Sequence, residues 1–350
     1  MGVTYKAVEW NAFKKRYDLV LLLGIVLYVV AFAASSLVLF PNITIEILLI
    51  RAVGSAALIL LHLILVIGPL ARIDSRWLPL LYNRRHLGVA TFLLGLLHGI
   101  LVLLTYHAGT DLNLLEALLI TDLSPGAGEY PFQVLGLGAL LILFVMAATS
   151  HDFWLANLTA PAWKAIHMGV YLAYALLLGH VLFGALQAEA NPIYPILLGI
   201  GAMLVSGLHL FSGWKEAAAD RTRSAGQEGW VRICAMEDLV ENVPLGVAVE
   251  GERVAVLRYE GDRVSAVSGV CQHQNGPLAE GRYIKGCLTC PWHGYQYDPA
   301  TGCSPEPFTE KIPTFPVRIE KGWVLVRSRP NPAGTPVEPA RVGEIGGAAS

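Results

Sequence analysis

The stretch CQHQNGPLAEGRYIKGCLTCPWHG, residues 271–294, carries two cysteines and two histidines at a spacing typical of metal ligands. Cys271-x-His273 is followed, sixteen residues later, by Cys290-x-x-His293. Such side chains bind zinc, and mixed cysteine and histidine ligation also holds one kind of [2Fe–2S] cluster. The combined C-x₂₋₄-C and H-x₃₋₅-H spacing of many zinc sites is missing here. With one thiolate and one imidazole from each loop, the pattern favours the cluster, with both cysteines on one iron and both histidines on the other.

The residues around this stretch predict an all-β domain. Short runs rich in β-branched residues, such as VAVEGERVAVLRY at 247–259 and TFPVRIEKGWVLVR at 314–327, are separated by turn signals. That alternation predicts an antiparallel sandwich over 229–328. Residues 329–350 are rich in Pro, Gly and Ala with few large apolar side chains, so we expect a disordered tail.

The composition of the whole chain indicates a membrane protein. Hydrophobic residues make up 54% and charged residues 15% of the 350 residues, whereas soluble domains have about 25% charged residues. The net charge of −2 gives no indication of nucleic acid binding. Five cysteines do not suggest a disulfide scaffold. We expect Cys234, Cys287 and Cys303 to be thiols in a reducing cytosol.

The apolar residues are concentrated in the first two thirds of the chain. A bilayer-crossing helix needs about 20 of them, and six stretches qualify, at roughly 17–40, 47–70, 87–106, 131–150, 163–187 and 193–213. The charged, small-residue-rich segment 214–228 reads as a linker to the β domain. The predicted fold is a membrane all-α bundle of six helices followed by an all-β domain.

Lysine and arginine predict the orientation of this bundle, because they are enriched in cytoplasmic loops. These residues lie before the first span, in the second and fourth loops, and after the sixth span. In that order they are Lys6, Lys14, Lys15 and Arg16; Arg72, Arg76, Arg84 and Arg85; Lys164; and Lys215, Arg221 and Arg223. The intervening loops contain neither residue. We therefore expect a multi-pass protein of the cell inner membrane, with residues 1–16, the β domain and both termini in the cytoplasm.

Four histidines lie inside the third and fifth predicted spans, where ionisable residues are functional candidates. Because the two spans run in the same direction, His98 and His180 lie at one depth, and His86 and His167 lie at another. We call the first two the outer pair and the other two the inner pair. Neutral imidazole is a natural axial ligand of haem iron. Each histidine could instead be a helix contact, and His62 in the second span is the alternative fourth ligand.

The sequence around these histidines resembles a known membrane family. Three stretches are similar to the ferric-reductase-like transmembrane domain: RRHLGVATFLLGLLHG (84–99), YPFQVLGLGALLILFVMAATSHDFW (130–154) and WKAIHMGVYLAYALLLGH (163–180). That family includes NADPH oxidases, ferric reductases and the haem-bearing membrane subunit of the periplasmic methionine sulfoxide reductase system. The resemblance covers about 17–213. It implies that His98, His167 and His180 are haem ligands, whereas His86 has no counterpart in every member of the family. From the two depth-matched pairs we expect two haems, with His86 as the fourth ligand. They would be of the b type, because the chain has no C-x-x-C-H attachment motif.

The C-terminal segment resembles a Rieske [2Fe–2S] ferredoxin domain over 229–328, and the two ligand boxes carry the likeness. The resemblance implies that Cys271, His273, Cys290 and His293 hold the cluster. Gly276 and Trp292 stand where Rieske proteins of cytochrome bc complexes have an additional disulfide, which implies the ferredoxin type. Only 57 residues follow His293, so we do not expect the catalytic iron domain of Rieske oxygenases.

Together the two parts predict an oxidoreductase that conducts electrons across a membrane. A cytosolic donor protein or reductase would reduce the cluster, and the haems would pass electrons toward an outer acceptor: ferric iron, quinone, oxygen or a periplasmic reductase. The alternative function is a membrane redox sensor, in which cluster and haem act as signal elements. Lipid is the other expected partner.

Overall fold

A computed structural model of the chain describes residues 12–77, 80, 84–106, 132–151, 154, 158, 160–219, 222–223, 229–273, 276–291, 294–306 and 308–342. Two compact units divide the chain, one holding most of a helix bundle and the other a C-terminal β domain. Each unit is described by itself below.

Six long apolar helices make up the bundle in the described part of the chain. They are α1 (Ala12–Leu39), α2 (Ile45–Ile73), α3 (Arg84–Tyr106), α4 (Phe132–Thr149), α5 (Ala160–Phe183) and α6 (Ile193–Ala219). Each is long and apolar enough to cross a bilayer. Large apolar side chains such as Leu27, Val38 and Leu210 are exposed, as lipid-facing residues would be. The expectation of six apolar helices and a multi-pass membrane protein is confirmed.

Small residues and polar bridges bring the helices of the bundle together. Ala139 on α4 and Ala173 on α5 are fully buried, and they let these two helices approach closely. Tyr28 on α1 donates a hydrogen bond to Ser55 on α2 over 2.9 Å. The helix α2 is the most enclosed of the six, so it can contact several neighbours at once.

The C-terminal domain is built from β-strands in three sheets. The strands are β1 (Thr222–Arg223), β2 (Trp230–Ala235), β3 (Leu245–Val249), β4 (Glu252–Tyr259), β5 (Arg263–Ser268), β6 (Arg282–Ile284), β7 (Cys287–Thr289), β8 (Gln296–Tyr297), β9 (Thr314–Phe315), β10 (Val317–Glu320), β11 (Trp323–Arg327) and β12 (Ala340–Arg341). The first sheet has the order β1-β3-β4-β5-β12 with β9 also on β5, the second is β10-β11-β2, and the third is β6-β7-β8. All pairings are antiparallel except β1 with β3.

The two faces of the first sheet cover separate cores. Alternation along β4 directs Val254 and Val256 to one side and Ala255 and Leu257 to the other. The first side packs on the second sheet. The other packs on the third sheet and on the loops that carry Cys271 and Cys290, so the candidate metal loops rest on a rigid apolar base. An all-β C-terminal domain was expected, and it is confirmed.

Two expectations about connecting segments are wrong. Residues 214–219, placed in the linker, continue α6 to Ala219, because Glu216 and the alanines that follow are good helix formers. Residues 329–342, placed in a disordered tail, lie along the β domain. There the amide of Val337 donates to Ala300, and Ala340 pairs with Val264, so backbone hydrogen bonds order a segment with few large apolar side chains. Residues 343–350 lie outside the described residues.

Candidate metal centres

Two tight loops carry the ligands proposed for the cluster. Cys271 follows β5, and its amide donates to the carbonyl of Gly276 over 2.8 Å. Cys290 follows β7, its amide donates to Tyr295 over 2.7 Å, and its carbonyl accepts from Gly294 over 2.9 Å. Gly294 has φ +66°, a left-handed conformation that glycine adopts without steric cost. The glycine of the second box therefore has a backbone role.

Both loop cysteines are buried, at 1% exposure for Cys271 and 2% for Cys290. All five cysteines lie in the described residues, and none is in a disulfide. The hydroxyl of Tyr297, itself fully buried, lies 3.4 Å from the sulfur of Cys271 and accepts from the amide of Gln272. Burial, together with the negative charge of Cys271, raises the pKa of Tyr297 well above its usual value. The hydroxyl therefore keeps its proton and can donate it to the sulfur.

An aromatic stack fixes the imidazole of His273. Its ring lies parallel to that of Tyr295 at 4.0 Å, and Tyr295 in turn contacts Phe308 at 5.0 Å. Burial and the negative charge of Glu310 raise the pKa of Tyr295, so this phenol is also neutral. The stack restricts the ring to one orientation, as a metal-binding imidazole requires.

Two of the four predicted cluster ligands, Cys271 and Cys290, belong to one buried apolar group. Tyr295 belongs to the same group and stacks on the ring of a third, His273. Among the described residues, no three potential ligands are close enough to hold a metal ion. His293, the fourth predicted ligand, lies outside the described residues. The donor set of buried thiols and stacked imidazole fits a mixed-ligand [2Fe–2S] cluster.

The outer pair is assembled in the bundle. The rings of His98 on α3 and His180 on α5 lie 6.2 Å apart, centroid to centroid, at an interplanar angle of 89°. An imidazole nitrogen binds a metal ion at about 2 Å, and the ring centroid lies about 1.1 Å behind that nitrogen, so rings on opposite sides of one ion have centroids ~6 Å apart. The observed centroid separation of 6.2 Å matches this distance.

Backbone carbonyls of neighbouring helices orient both outer rings. The Nδ1 of His98 lies 3.0 Å from the carbonyl of Ile50, and the Nδ1 of His180 lies 2.8 Å from that of Phe132. A carbonyl oxygen only accepts, so each Nδ1 carries the proton and each Nε2 has a lone pair for a metal.

Two glycines make room for these rings. Gly54 and Gly136 each lie one helical turn after the carbonyl that holds the ring, and a Cβ on either would come within 2.7 Å of the Nδ1 of His98 or His180. The arrangement is the same in both places: a carbonyl that accepts, and four residues later a glycine against the imidazole.

The inner pair is held differently. The Nδ1 of His86 lies 2.6 Å from a carboxylate oxygen of Asp18 on α1. His167 stacks on Trp163 at 3.7 Å, and its Nδ1 lies 3.0 Å from the carbonyl of the same residue. Within the described residues, the ring contacts of His86 and His167 are with Tyr17 and Trp163 and not with each other.

The Nε2 of His167 is only weakly engaged. It lies 3.3 Å from the hydroxyl of Ser150, which also donates to the carbonyl of Met146 over 2.7 Å. One hydroxyl proton cannot serve both acceptors, so this nitrogen can be released to a metal.

His62, the alternative fourth ligand, has partners at both ring nitrogens. Its Nδ1 lies 2.9 Å from the carbonyl of Leu58, and its Nε2 accepts from the hydroxyl of Tyr174 over 3.0 Å. A Cβ at Gly201 would come within 2.6 Å of the same Nε2. This histidine connects α2, α5 and α6, and it has no nitrogen left for iron without breaking that connection.

Two residues of these sites went unrecognised in the sequence. Tyr297 lies in the second box as part of HGYQYD, where the alternation of two tyrosines was the available signal. Asp18 is an acidic residue within the first apolar span, and a charge in such a position needs a partner.

Two family profiles match the chain, and they cover its two parts. The Rieske [2Fe-2S] domain matches residues 229–316, and the ferric reductase like transmembrane component matches residues 53–178. The first contains the loops of Cys271 and Cys290. The second contains His62, His86, His98 and His167, and it ends two residues before His180. Both resemblances inferred from the sequence are confirmed.

Individual relatives align with the C-terminal domain. The ferredoxin component of the naphthalene 1,2-dioxygenase system of Pseudomonas putida is 35% identical over 101 residues, which are 28% of this chain and 93% of that protein. Cholesterol 7-desaturase nvd 1 of Ciona intestinalis is 38% identical over 88 residues, but the chain spans only 19% of that enzyme. Among solved structures, the ferredoxin of carbazole 1,9a-dioxygenase from Nocardioides aromaticivorans IC177 is 28% identical with a TM-score of 0.28, covering 29% of this chain and 100% of that one.

The chain is 35% identical to the Pseudomonas putida ferredoxin component and covers 93% of it, which shows the family of the C-terminal domain. Through its C-terminal domain, the chain belongs to the Rieske [2Fe–2S] proteins. In this chain the domain follows a ferric-reductase-like helix bundle.

Proposed function

We propose that the protein is a membrane oxidoreductase that passes electrons from a cytoplasmic Rieske cluster through two b-type haems to an acceptor at the outer face. The observation that carries the proposal is the outer histidine pair, spaced for one metal ion, in a chain that also has Rieske ligand loops. A histidine pair in a bundle or a pair of Rieske ligand loops could each serve another function alone. Together they would provide redox sites in both the bundle and the C-terminal domain.

In the C-terminal domain, Cys271 and Cys290 would bind one iron, and His273 and His293 the other. The bound cluster supplies one-electron storage. The chain's own residues exclude water from both sulfurs, orient the His273 ring against Tyr295, and present the Tyr297 hydroxyl to the sulfur of Cys271. Hydrogen bonds to sulfur tune the potential of such a cluster.

In the bundle, His98 and His180 would hold the outer haem through their Nε2 atoms. The haem provides a one-electron site inside an apolar layer. The Ile50 and Phe132 carbonyls keep both Nε2 atoms unprotonated for it.

The inner haem would be bound by His86 and His167. His86 is preferred to His62 because its Nδ1 is held by Asp18 while its Nε2 can bind a metal, whereas both nitrogens of His62 have partners. Binding would take the Nε2 of His167 from its long contact with Ser150.

We infer the orientation from the basic residues at alternate ends of the spans, such as Arg84 and Arg85 at the start of α3. We propose an inner-membrane protein with both termini and the Rieske domain in the cytoplasm. The electron donor would be a cytosolic protein or reductase, and the outer acceptor would be ferric iron, quinone, oxygen or a periplasmic reductase.

The test is the cofactor content and reactivity of the purified full-length chain. Iron, acid-labile sulfide and haem are measured together with optical and EPR spectra. We expect two low-spin, non-covalent haems per [2Fe–2S] cluster, and reduction of the cluster before the haems with a cytosolic donor. A preparation with a complete cluster and no haem would refute the proposal. A single haem would remove the inner site.

Turnover separates electron transfer from sensing. With the donor and an outer acceptor both present, a conduit reoxidises its haems continuously. Haems that reduce once and stay reduced with every acceptor class would support the sensor instead.

A further inference from the structure

The end of α2 approaches the first cluster loop, residues 271–281, within one compact unit. This unit includes residues 70–82 and 210–350, so it holds the last turn of α2, the end of α6 and the β domain. Inside it, the Nε of Arg72 lies 4.0 Å from the Oε1 of Glu280. At this distance the contact is an ion pair rather than a hydrogen bond. It links the end of an apolar helix to the loop that carries two of the predicted cluster ligands.

The backbone around Glu280 fixes this residue to the cluster loops. It ends a short 3₁₀ turn that begins at Leu278, a fully buried residue in the same apolar group as Cys271 and Cys290. The amide of Leu278 donates to the carbonyl of Gly269 over 2.8 Å. The Glu280 side chain is only 25% exposed. A partner that holds its carboxylate therefore also holds the first cluster loop.

The α6 helix braces the arginine side of this contact. The ammonium of Lys215 donates to the carbonyls of Arg72 and Ile73, over 3.3 and 3.4 Å. Carbonyls in the last turn of a helix lack partners within that helix, and a cation there is favoured by the helix dipole. The bond ties the ends of α2 and α6 together, so Arg72 is presented from two joined helices.

The chain connection is a second attachment of the β domain. The helix α6 ends at Ala219 and β1 begins at Thr222, so two residues separate the helix from a strand of the first sheet. Thr222 pairs with Ala248 of β3. Even fully extended, the step from Ala219 to Thr222 reaches only about 11 Å. A tether this short gives Arg72 and Glu280 a high effective concentration, so that even a weak ion pair can hold the domain.

The neighbouring arginine does not share this role. Arg76 lies four residues after Arg72, and its guanidinium pairs with Asp74 over 2.6 Å. The side chain of Arg76 is 87% exposed, against 35% for Arg72. Solvent and salt screen exposed pairs more than partly buried ones. Of these two arginines, Arg72 is the one paired with the β domain.

We propose that Arg72 and Glu280 are positioning residues that dock the first cluster loop on the end of α2, so that the Rieske domain works from a fixed position rather than swinging on a free linker. The docking does not depend on haem or on the direction of electron flow. Its use, to hold the cluster at one distance from the redox site of the bundle, rests on the proposed function.

Hydrogen exchange, followed by mass spectrometry on the full-length chain in lipid nanodiscs, measures how often the contact opens. The reporting peptides cover residues 70–77 and 278–284. In Arg72→Gln and in Glu280→Gln we expect exchange there to be about two- to fivefold faster, the range for a partly exposed ion pair. Because both changes remove the same pair, the double variant should be no faster than either single variant.

Salt supplies a readout that a packing role would not move. At 1 M salt the Debye length is about 3 Å, so wild-type exchange should rise toward that of the variants, whereas the variants should change little. Arg76→Gln is the matched control, because it removes a charge from the same segment that is paired with Asp74. It should exchange like wild type. The cluster EPR signal should be retained throughout, since no ligand is changed.

The outcomes separate the docking from the proposed function. Wild-type exchange in both single variants, or increases that add in the double variant, would overturn the docking pair. An equal increase in Arg76→Gln would also overturn it, because the net charge of the segment would then be responsible. If Glu280→Gln loses the cluster, Arg72→Gln and its salt dependence decide alone. The expected exchange pattern in a protein that binds no haem would support the docking and refute only the proposed function.

Discussion

The cluster loops and the helix bundle hold their candidate ligands in different ways. In the C-terminal domain the described ligands come from one stretch of 24 residues, and turns within each loop fix the backbone of Cys271 and Cys290. In the bundle, His98 and His180 meet across two helices, and each ring is held by the backbone of yet another helix. The first kind of site depends on local geometry, and the second on how four helices pack.

This difference implies that the two sites can be lost separately. Each belongs to a different compact unit, so removing a ligand from one should not unfold the other. The two sites should also be sensitive to different substitutions. The loop site should be lost when a ligand or a turn residue changes, whereas the helix site should be affected by any residue that sets the distance between the helices.

The largest expected effect is in Cys290→Ser. A serine hydroxyl is a poor ligand for iron at neutral pH, so the cluster and its EPR signal should be lost completely. Haem content should remain at the wild-type level and dithionite should still reduce the haems, whereas reduction by the cytosolic donor should stop.

Cys303→Ser is the matched control for this variant. Its sulfur makes only long contacts, at 3.8 and 3.9 Å, with the carbonyls of Thr301 and Gly334, so cluster and haems should both be retained. Haems that reduce at the wild-type rate with the donor in Cys290→Ser would show that electrons bypass the Rieske domain.

The second expected effect is in His98→Ala or His180→Ala, each of which should remove the outer haem while the cluster signal persists. Either change deletes one of the two proposed haem ligands, and one histidine alone would not give a low-spin bis-histidine iron. Haem per protein should fall by about half if two haems are bound.

His209→Ala serves as the control, because this intramembrane histidine has its Nδ1 on Val205 of its own helix and its ring against Tyr171. Its haem content should be unchanged. Loss of the cluster together with the haem in either ligand variant would indicate misfolding and break the separation of the two sites.

The sequence alone predicted the parts of the fold and of the candidate sites that short sequence patterns specify. Six apolar runs predicted six helices, and two ligand boxes predicted the Rieske domain that the family comparison confirms. His98 and His180 could also be paired from the sequence, because two parallel helices place residues at regular heights. That pairing is visible in the 6.2 Å between the rings.

The sequence was insufficient where an interaction joins distant segments. Nothing local marks Ile50 and Phe132 as the acceptors of two histidines, each 48 residues away. Asp18 meets His86 across 68 residues. The segment 329–342 looked disordered because its composition is poor in large apolar residues, but its order comes from backbone pairing, which composition does not report.

A third variant, Gly54→Ala, tests whether packing alone maintains the outer pair. The new Cβ would come within 2.7 Å of the Nδ1 of His98, so the ring must turn away from Ile50. Alanine is a better helix former than glycine by about 1 kcal/mol, so a weaker helix cannot explain the result. We expect a several-fold loss of outer-haem occupancy with an intact cluster.

Gly207→Ala is the matched helix control, since no atom lies within 4 Å of its added Cβ. It should keep both haems and gain slightly in stability. Equal haem content in Gly54→Ala and Gly207→Ala would mean that His98 is not positioned through close contact with α2.

The smallest expected effect is in Tyr297→Phe, which tests the cluster loops at the level of one hydrogen bond. The change removes the donor 3.4 Å from the sulfur of Cys271 and the acceptor of the Gln272 amide, while the buried ring stays in place. Both cysteines and His273 are retained, so the cluster should still assemble. Loss of a hydrogen bond to sulfur should lower its potential by less than about tenfold in the equilibrium constant, ~59 mV. The unpartnered amide should lower the free energy of unfolding by about 1 kcal/mol. Tyr295→Phe is the control, because its hydroxyl bonds to Glu310 and its ring, which stacks on His273, is retained; it should leave the potential nearly unchanged. If both variants shift the potential equally, general packing around the loops sets it, and the contrast between loops fixed by single bonds and helices fixed by packing would no longer hold.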